Sequence, residues 1–228
     1  MFKQPFTMLA RPFLVLALAL GLAAAQAPAQ ADAAPAAPAQ APDAALKATT
    51  DQIRGLIKAH YAEYKADQAK YYKAVDDVVV PRFDVPGIAR LVLGVNYRSA
   101  TPQQRERFAK AFKNMLVGSY ANAMLDNYNS VNINWMPPRL MPNATDAAVN
   151  TSLTRDNGQS YAIGFRVHVV DGDWKIYDIA VENVSLVLNF RTQINSEIKR
   201  TSLDDVIARM EGGQFKADGK SDGKQAAQ

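Results

Sequence analysis

The apolar positions change period twice along the chain, dividing it into a helical half, a strand-rich stretch and a helical close. Leu46, Ile53, Leu56 and Ile57 recur at helical spacing with polar residues between them. A second helical stretch, rich in Tyr and Lys, covers about 61–79. Asp84 is placed to cap a helix that runs through Pro86, Ile88, Leu91 and Val92 and stops at Gly94. The clearest element opens at Thr101-Pro102-Gln103-Gln104. Thr is a good N-cap, Pro suits the first helical position, and Gln104 completes a capping box. Phe108, Ala111, Phe112, Met115, Ser119, Tyr120, Ala123 and Met124 then form one stripe to about Asn127. At 1.5 Å per residue this helix is about 40 Å long.

Beyond it the period becomes two. Val131, Ile133 and Trp135 alternate before Pro137-Pro138, and Val149, Thr151 and Leu153 alternate up to the hairpin signal Asp156-Asn157-Gly158. Tyr161, Ile163, Phe165, Val167 and Val169 alternate up to a second signal, Asp171-Gly172-Asp173. In the next run, Trp174, Ile176, Ile179 and Val181, the parity slips at Tyr177-Asp178, as a β-bulge would make it do. Residues 184–198 and 203–210 return to helical spacing. The pattern predicts an α+β domain, with helices on an antiparallel meander of about four strands. One face of the sheet and one face of the long helix are apolar, and both carry small residues, among them Ala111, Ser119, Ala162 and Gly164. Such a sandwich either packs solid, the usual outcome, or leaves a hollow.

The ends carry a different grammar. Lys3 and Arg11 precede the ten-residue apolar run Phe13 to Leu22, and Ala23-Ala24-Ala25 follows, which reads as a secretory signal peptide over 1–25. The run is too short for a spanning helix, which needs roughly 20 apolar residues. Residues 26–42, nearly all Ala, Pro and Gln, read as a flexible linker. Residues 43–212 form the expected domain, and 213–228 a disordered tail. Without Lys3 and Arg11 the chain has 24 basic and 22 acidic residues, a formal charge of +2. That balance does not suggest nucleic acid, which calls for a concentrated basic face. The absence of cysteine excludes disulfides and thiolate-ligated zinc.

The search for chemistry finds little. His60 and His168 lie in different elements, without partners at metal spacing, and His168 takes the polar parity of its strand. There is no G-x-S-x-G elbow, no H-E-x-x-H and no phosphate loop. Asp178, beside Tyr177, is the one carboxylate in an element expected to be buried. It reads either as the base of a cone-shaped pocket or as a hydrogen-bonded structural Asp at the bulge. No metal, cofactor or catalytic group is expected.

Two stretches are more specific. Leu93-Gly94-Val95-Asn96-Tyr97-Arg98-Ser99-Ala100-Thr101-Pro102-Gln103-Gln104-Arg105 runs into Phe108, Phe112, Leu116 and Tyr120-Ala121. Later, Trp174-Lys175-Ile176-Tyr177-Asp178-Ile179 precedes Val184-Ser185-Leu186-Val187-Leu188-Asn189-Phe190-Arg191-Thr192-Gln193. These blocks resemble the signature of the MlaC, or toluene-tolerance, family over about 45–210. Tyr97 stands where a Trp is usual, Asn183 where a Gly is usual, Phe190 for a Tyr and Ile194 for a Phe. The resemblance implies an NTF2-like cone that carries phospholipid through the periplasm. The partners it implies are an inner-membrane ABC transporter with an MCE-domain ring and an outer-membrane lipoprotein–porin complex, with the carrier itself acting as a monomer. Under that reading the hollow is expected.

The inward strand set then supplies the expected lipid-binding residues: Val149, Thr151, Leu153, Ile163, Phe165, Val167, Ile176 and Ile179. Met115, Tyr120 and Met124 join them from the long helix, and Val184, Val187 and Leu188 from the one that follows the sheet. Two other readings remain: an NTF2-like enzyme using Asp178 and Tyr177, and a non-lipid adaptor with a filled core. Arg98, Arg105, Arg107 and Arg191 are candidate contacts for a phosphate or an acidic partner.

Overall fold

Asp67 divides the first helical stretch. Its carboxylate accepts the N–H groups of Ala69 and Lys70 at 3.1 and 3.3 Å, so one helix ends and the next begins at this residue. The first helix, α1 (Pro42–Ala66), bends at His60 but continues past it, so α2 (Gln68–Val78) starts later than the Tyr/Lys pattern implies. A short 3-10 turn, Val80–Arg82, leads into α3 (Val85–Leu93), capped by Asp84, and then α4 (Asn96–Ser99). The capping box of Thr101 and Gln104 is formed in both directions and opens α5 (Pro102–Asp126). These are features of a computed structural model that describes residues 40–142 and 144–215. The expected signal peptide, the linker as far as residue 39 and the tail beyond 215 lie outside the described residues.

The sheet is an antiparallel meander in the order β1 (Val131–Met136), β2 (Asp146–Arg155), β3 (Ser160–Val170), β4 (Asp173–Val181), β5 (Val184–Ser185). The bulge is present. Arg166 pairs with Asp178 and Val167 with Ile176, leaving Tyr177 as the extra residue. The strand count differs from four because the chain folds back after β4. Glu182 (φ 49°) and Asn183 (φ 65°) are both left-handed, the pattern of a two-residue hairpin turn, and β5 is the short return strand. Asn tolerates this conformation better than most residues, which accounts for its standing where a Gly is usual. The helices α6 (Leu186–Arg200) and α7 (Leu203–Glu211) close the fold.

Residues at both edges of the expected domain belong to this structure. The Gln40 carbonyl accepts the Trp174 indole N–H at 3.0 Å, and Pro42 opens α1. Phe215, in the stretch expected as a tail, is buried beside α7.

The interior comprises three apolar clusters rather than one. Between α3, α5, α6 and α7 lie Val92, Leu93, Phe108, Ile194, Val206 and Ile207, all fully buried. Between α1, α2 and α5 lie Ile57, Tyr71 and Leu125, with the Tyr71 hydroxyl donating to the Ala121 carbonyl at 2.8 Å. The third lies where α1 sets Ala45 and Leu46 against Val149, Val167, Trp174 and Ile176 of the sheet.

Candidate functional site

Where the three clusters would meet there is a cavity of about 440 Å³, within the 300–1,000 Å³ typical of ligand sites. Its longest wall is a stripe of α5, Phe112, Leu116, Tyr120 and Met124 at strict four-residue spacing, with Val117 and Ala121 beside it. The end of α2 and the 3-10 turn supply Val75, Val79 and Val80, and Phe83, Val85 and Ile88 continue the wall into α3. Opposite stand Ile176, Ile179 and Val181 of β4, and Leu186, Val187 and Phe190 around the start of α6. Phe190 meets Phe112 edge-to-face at 5.2 Å, a favoured aromatic geometry that joins the α5 and α6 walls.

Charged groups on the wall are few. Asp178, 4% exposed, is fully engaged. Its carboxylate accepts the Ser185 hydroxyl at 2.7 Å and the Val187 backbone N–H at 3.1 Å, with Arg166 at 3.5 Å. It therefore fastens the N-terminus of α6 to β4, where a carboxylate suits the helix dipole. Lys113 bonds across to Asp76 of α2. Burial raises the pKa of the Tyr120 phenol, which stays protonated at neutral pH. Among the described residues no cluster of acidic residues or histidines is arranged to hold a metal, and no helix is long and apolar enough to cross a membrane. His168, expected at the surface, is half-buried with Nε2 at 2.9 Å from the Asp84 carboxylate.

A family model described as MlaC protein matches residues 47–212. The chain belongs to the MlaC family. It is 30% identical over 167 residues to the toluene tolerance protein ttg2D of Pseudomonas putida, covering 73% of this chain and 77% of that one. The intermembrane phospholipid transport system binding protein MlaC of Haemophilus influenzae is 22% identical over 174 residues, 75% of this chain and 81% of that one. A phospholipid-binding protein of Ralstonia solanacearum, solved in complex with a phospholipid, superposes with a TM-score of 0.69 at 26% identity. The match covers 77% of this chain and 97% of that one.

In this MlaC-family chain the blocks that carry the resemblance converge on the cavity. Phe112, Leu116, Tyr120 and Ala121 of the first face Ile176, Asp178, Ile179, Leu186, Val187 and Phe190 of the second. Gly94 and Arg191, one from each block, also touch. Gly94 is left-handed (φ 57°), and a Cβ there would lie 2.8 Å from Nε of Arg191. Arg105 donates to the Tyr97 and Arg98 carbonyls and lies over the Tyr97 ring, while Arg107 pairs with Glu211. None of Arg98, Arg105, Arg107 and Arg191 lines the cavity.

Of the expected lipid-binding residues, Tyr120, Met124, Ile176, Ile179 and Val187 lie on this wall. Six of the others, on β2 and β3, share a sheet face against which α1 packs, and three lie on helices or at β5. Val149 and Val167 are fully buried against Ala45 and Leu46. Thr151 is buried and donates its hydroxyl to the Ile163 carbonyl. Phe165 stacks on Trp135, and Leu153 and Ile163 are half-buried further along the same face. Met115 points into the α3–α7 cluster, one turn-face away from the cavity stripe. Val184 and Leu188 are exposed, on the outer side of β5 and α6. The wall of α2, the 3-10 turn and α3 is absent from the expected set. Its signal is the run Val78-Val79-Val80-Pro81, apolar and β-branched where a surface helix end is ordinarily polar.

Proposed function

We propose that this protein is a non-catalytic carrier of phospholipid that shields acyl chain in the cavity between α5, α2–α3, β4 and α6. The observation that carries the reading is an apolar cavity of about 440 Å³ held open between three packed clusters. Proteins ordinarily close such space. This cavity opens to solvent, so when empty it sets water against an almost wholly apolar wall that offers that water few hydrogen bonds. An apolar guest displaces that water and gains its own transfer energy. Two acyl chains of about 30 methylenes, at ~0.8 kcal/mol each, represent on the order of 25 kcal/mol in leaving water.

Two of the relatives point the same way. One is an intermembrane phospholipid transport binding protein, and another was solved with phospholipid bound. On this reading the chain is exported to the periplasm, works there as a monomer and needs no cofactor. It passes lipid between an inner-membrane ABC transporter bearing an MCE-domain ring and an outer-membrane lipoprotein–porin complex, and so sustains the lipid asymmetry of the outer membrane. A guest held this tightly leaves slowly unless a partner opens the walls. The enzyme reading loses support because the Asp178 acceptors are engaged by Ser185, Val187 and Arg166. Native mass spectrometry of detergent-free protein, followed by solvent extraction, tests the proposal. A bound phospholipid mass supports it, and an apo mass that takes up nothing from vesicles refutes it.

A further inference from the structure

An apolar wall alone does not distinguish a phospholipid from a neutral lipid with the same chains, since both bury the same methylenes. Discrimination needs a polar group at the wall, and the charged residues there are Asp178 and Lys113. Asp178 is ruled out because its oxygens are taken and its charge would repel phosphate. Lys113 is different. It lines the cavity, and its ammonium reaches Asp76, with Nζ 2.8 and 3.0 Å from the two carboxylate oxygens. An ammonium has three donors, and a single carboxylate leaves at least one available. Asp76 is 43% exposed, and an ion pair open to water is worth little, so exchanging Asp76 for another anion is cheap.

The spacing fits as well. From Lys113 to Met124 the α5 stripe runs about 16 Å, at 1.5 Å per residue. Half of a ~30 Å hydrocarbon core, the reach of one acyl chain, is about the same. We infer that Lys113 is the headgroup-selecting residue of this cavity, binding the phosphodiester of an amphiphile whose chain extends along α5 to Met124. The inference rests on the carrier reading.

The test offers the full chain phosphatidylglycerol vesicles doped with diacylglycerol of the same acyl chains, then extracts and quantifies both lipids from the re-isolated protein. The wild type should be enriched in phospholipid over the vesicle composition. Lys113→Met, which keeps the apolar stem, should lower that enrichment about tenfold, or about 1.4 kcal/mol, while lipid is still carried. Lys113→Arg should retain it, and Asp76→Asn should leave it unchanged or raise it. Unchanged enrichment in Lys113→Met overturns the assignment. So does an equal fall in Asp76→Asn, which would mean that the ion pair only holds α2 against α5. Should Lys113→Met fail to fold, the Arg and Asp76 variants decide on the same terms. A wild type that takes up neither lipid removes the carrier reading itself, and this inference with it.

Discussion

Placing a carboxylate in the cavity separates guest binding from folding. Leu116 is half-buried in the middle of the α5 stripe, between Phe112 and Tyr120. Leu and Glu have nearly equal helix propensities, so Leu116→Glu leaves α5 itself undisturbed. Full burial of a Leu is worth about 1.5–3 kcal/mol, so losing a half-buried one costs about 1 kcal/mol of stability. In the empty protein the new carboxylate can remain hydrated through the cavity opening. With an acyl chain in place it must be dried, at an effective cost of several kcal/mol. Taking about 3 kcal/mol, affinity falls about a hundredfold at 1.4 kcal/mol per decade. The assays are urea unfolding followed by circular dichroism and lipid per chain after extraction. Leu116→Met serves as the volume-conserving control that keeps both properties. A Leu116→Glu protein carrying lipid at the wild-type ratio would refute the placement of the guest.

Three further outcomes follow from the same geometry. Asp178→Ala leaves the Val187 N–H and the O–H donor of Ser185, whose oxygen still accepts the Leu188 N–H, without an acceptor at the start of α6 and should cost about 2–4 kcal/mol. Faster hydrogen exchange at the first α6 amides would show it, whereas wild-type protection there would contradict the clamp. Delipidated protein should melt lower than loaded protein and recover on reloading, since a guest that binds only the folded state stabilises it; identical melting points would count against a specific guest. On the acid side, burial raises the Asp173 pKa, but the Arg82 hydrogen bond and charge, helped by Lys175, lower it overall. Glu197 is held low by its hydrogen bond to Arg209. Both carboxylates have folded values below their unfolded ones, roughly 3.9–4.3. Their contribution is therefore present above about pH 4 and disappears as pH falls through the folded values. The melting temperature should decline below about pH 4, and Glu197→Gln should shrink that decline; a rise on acidification would contradict the sign.

Much of the fold was legible because its signals are local. The Thr101–Gln104 box, the turn at Asp171-Gly172 and the parity slip at Tyr177 each follow from a few neighbouring residues. The position of the cavity was less so, because periodicity shows which face of an element is apolar but not what covers it. Val149 and Phe165 share a face with Ile179, yet α1 brings Ala45 and Leu46 onto Val149, while Ile179 is left facing α5 across open space. Nor does spacing divide the two apolar stripes of α5. Met115 and Leu116 are adjacent, and about 100° of helix rotation sends one into the packed cluster and the other to the cavity. The two family blocks pointed at the wall more directly than strand parity did.

The most direct measurement of the central claim is photo-crosslinking with a phospholipid that carries a diazirine on its acyl chain. The labelled residues would be mapped by peptide mass spectrometry after loading from vesicles. Labels on the α5 stripe between Phe112 and Met124, and on Phe190 of α6, are the result that the account predicts. Labels confined to Val149, Leu153 and Phe165 on the β2–β3 face, with α5 unmarked, would contradict it.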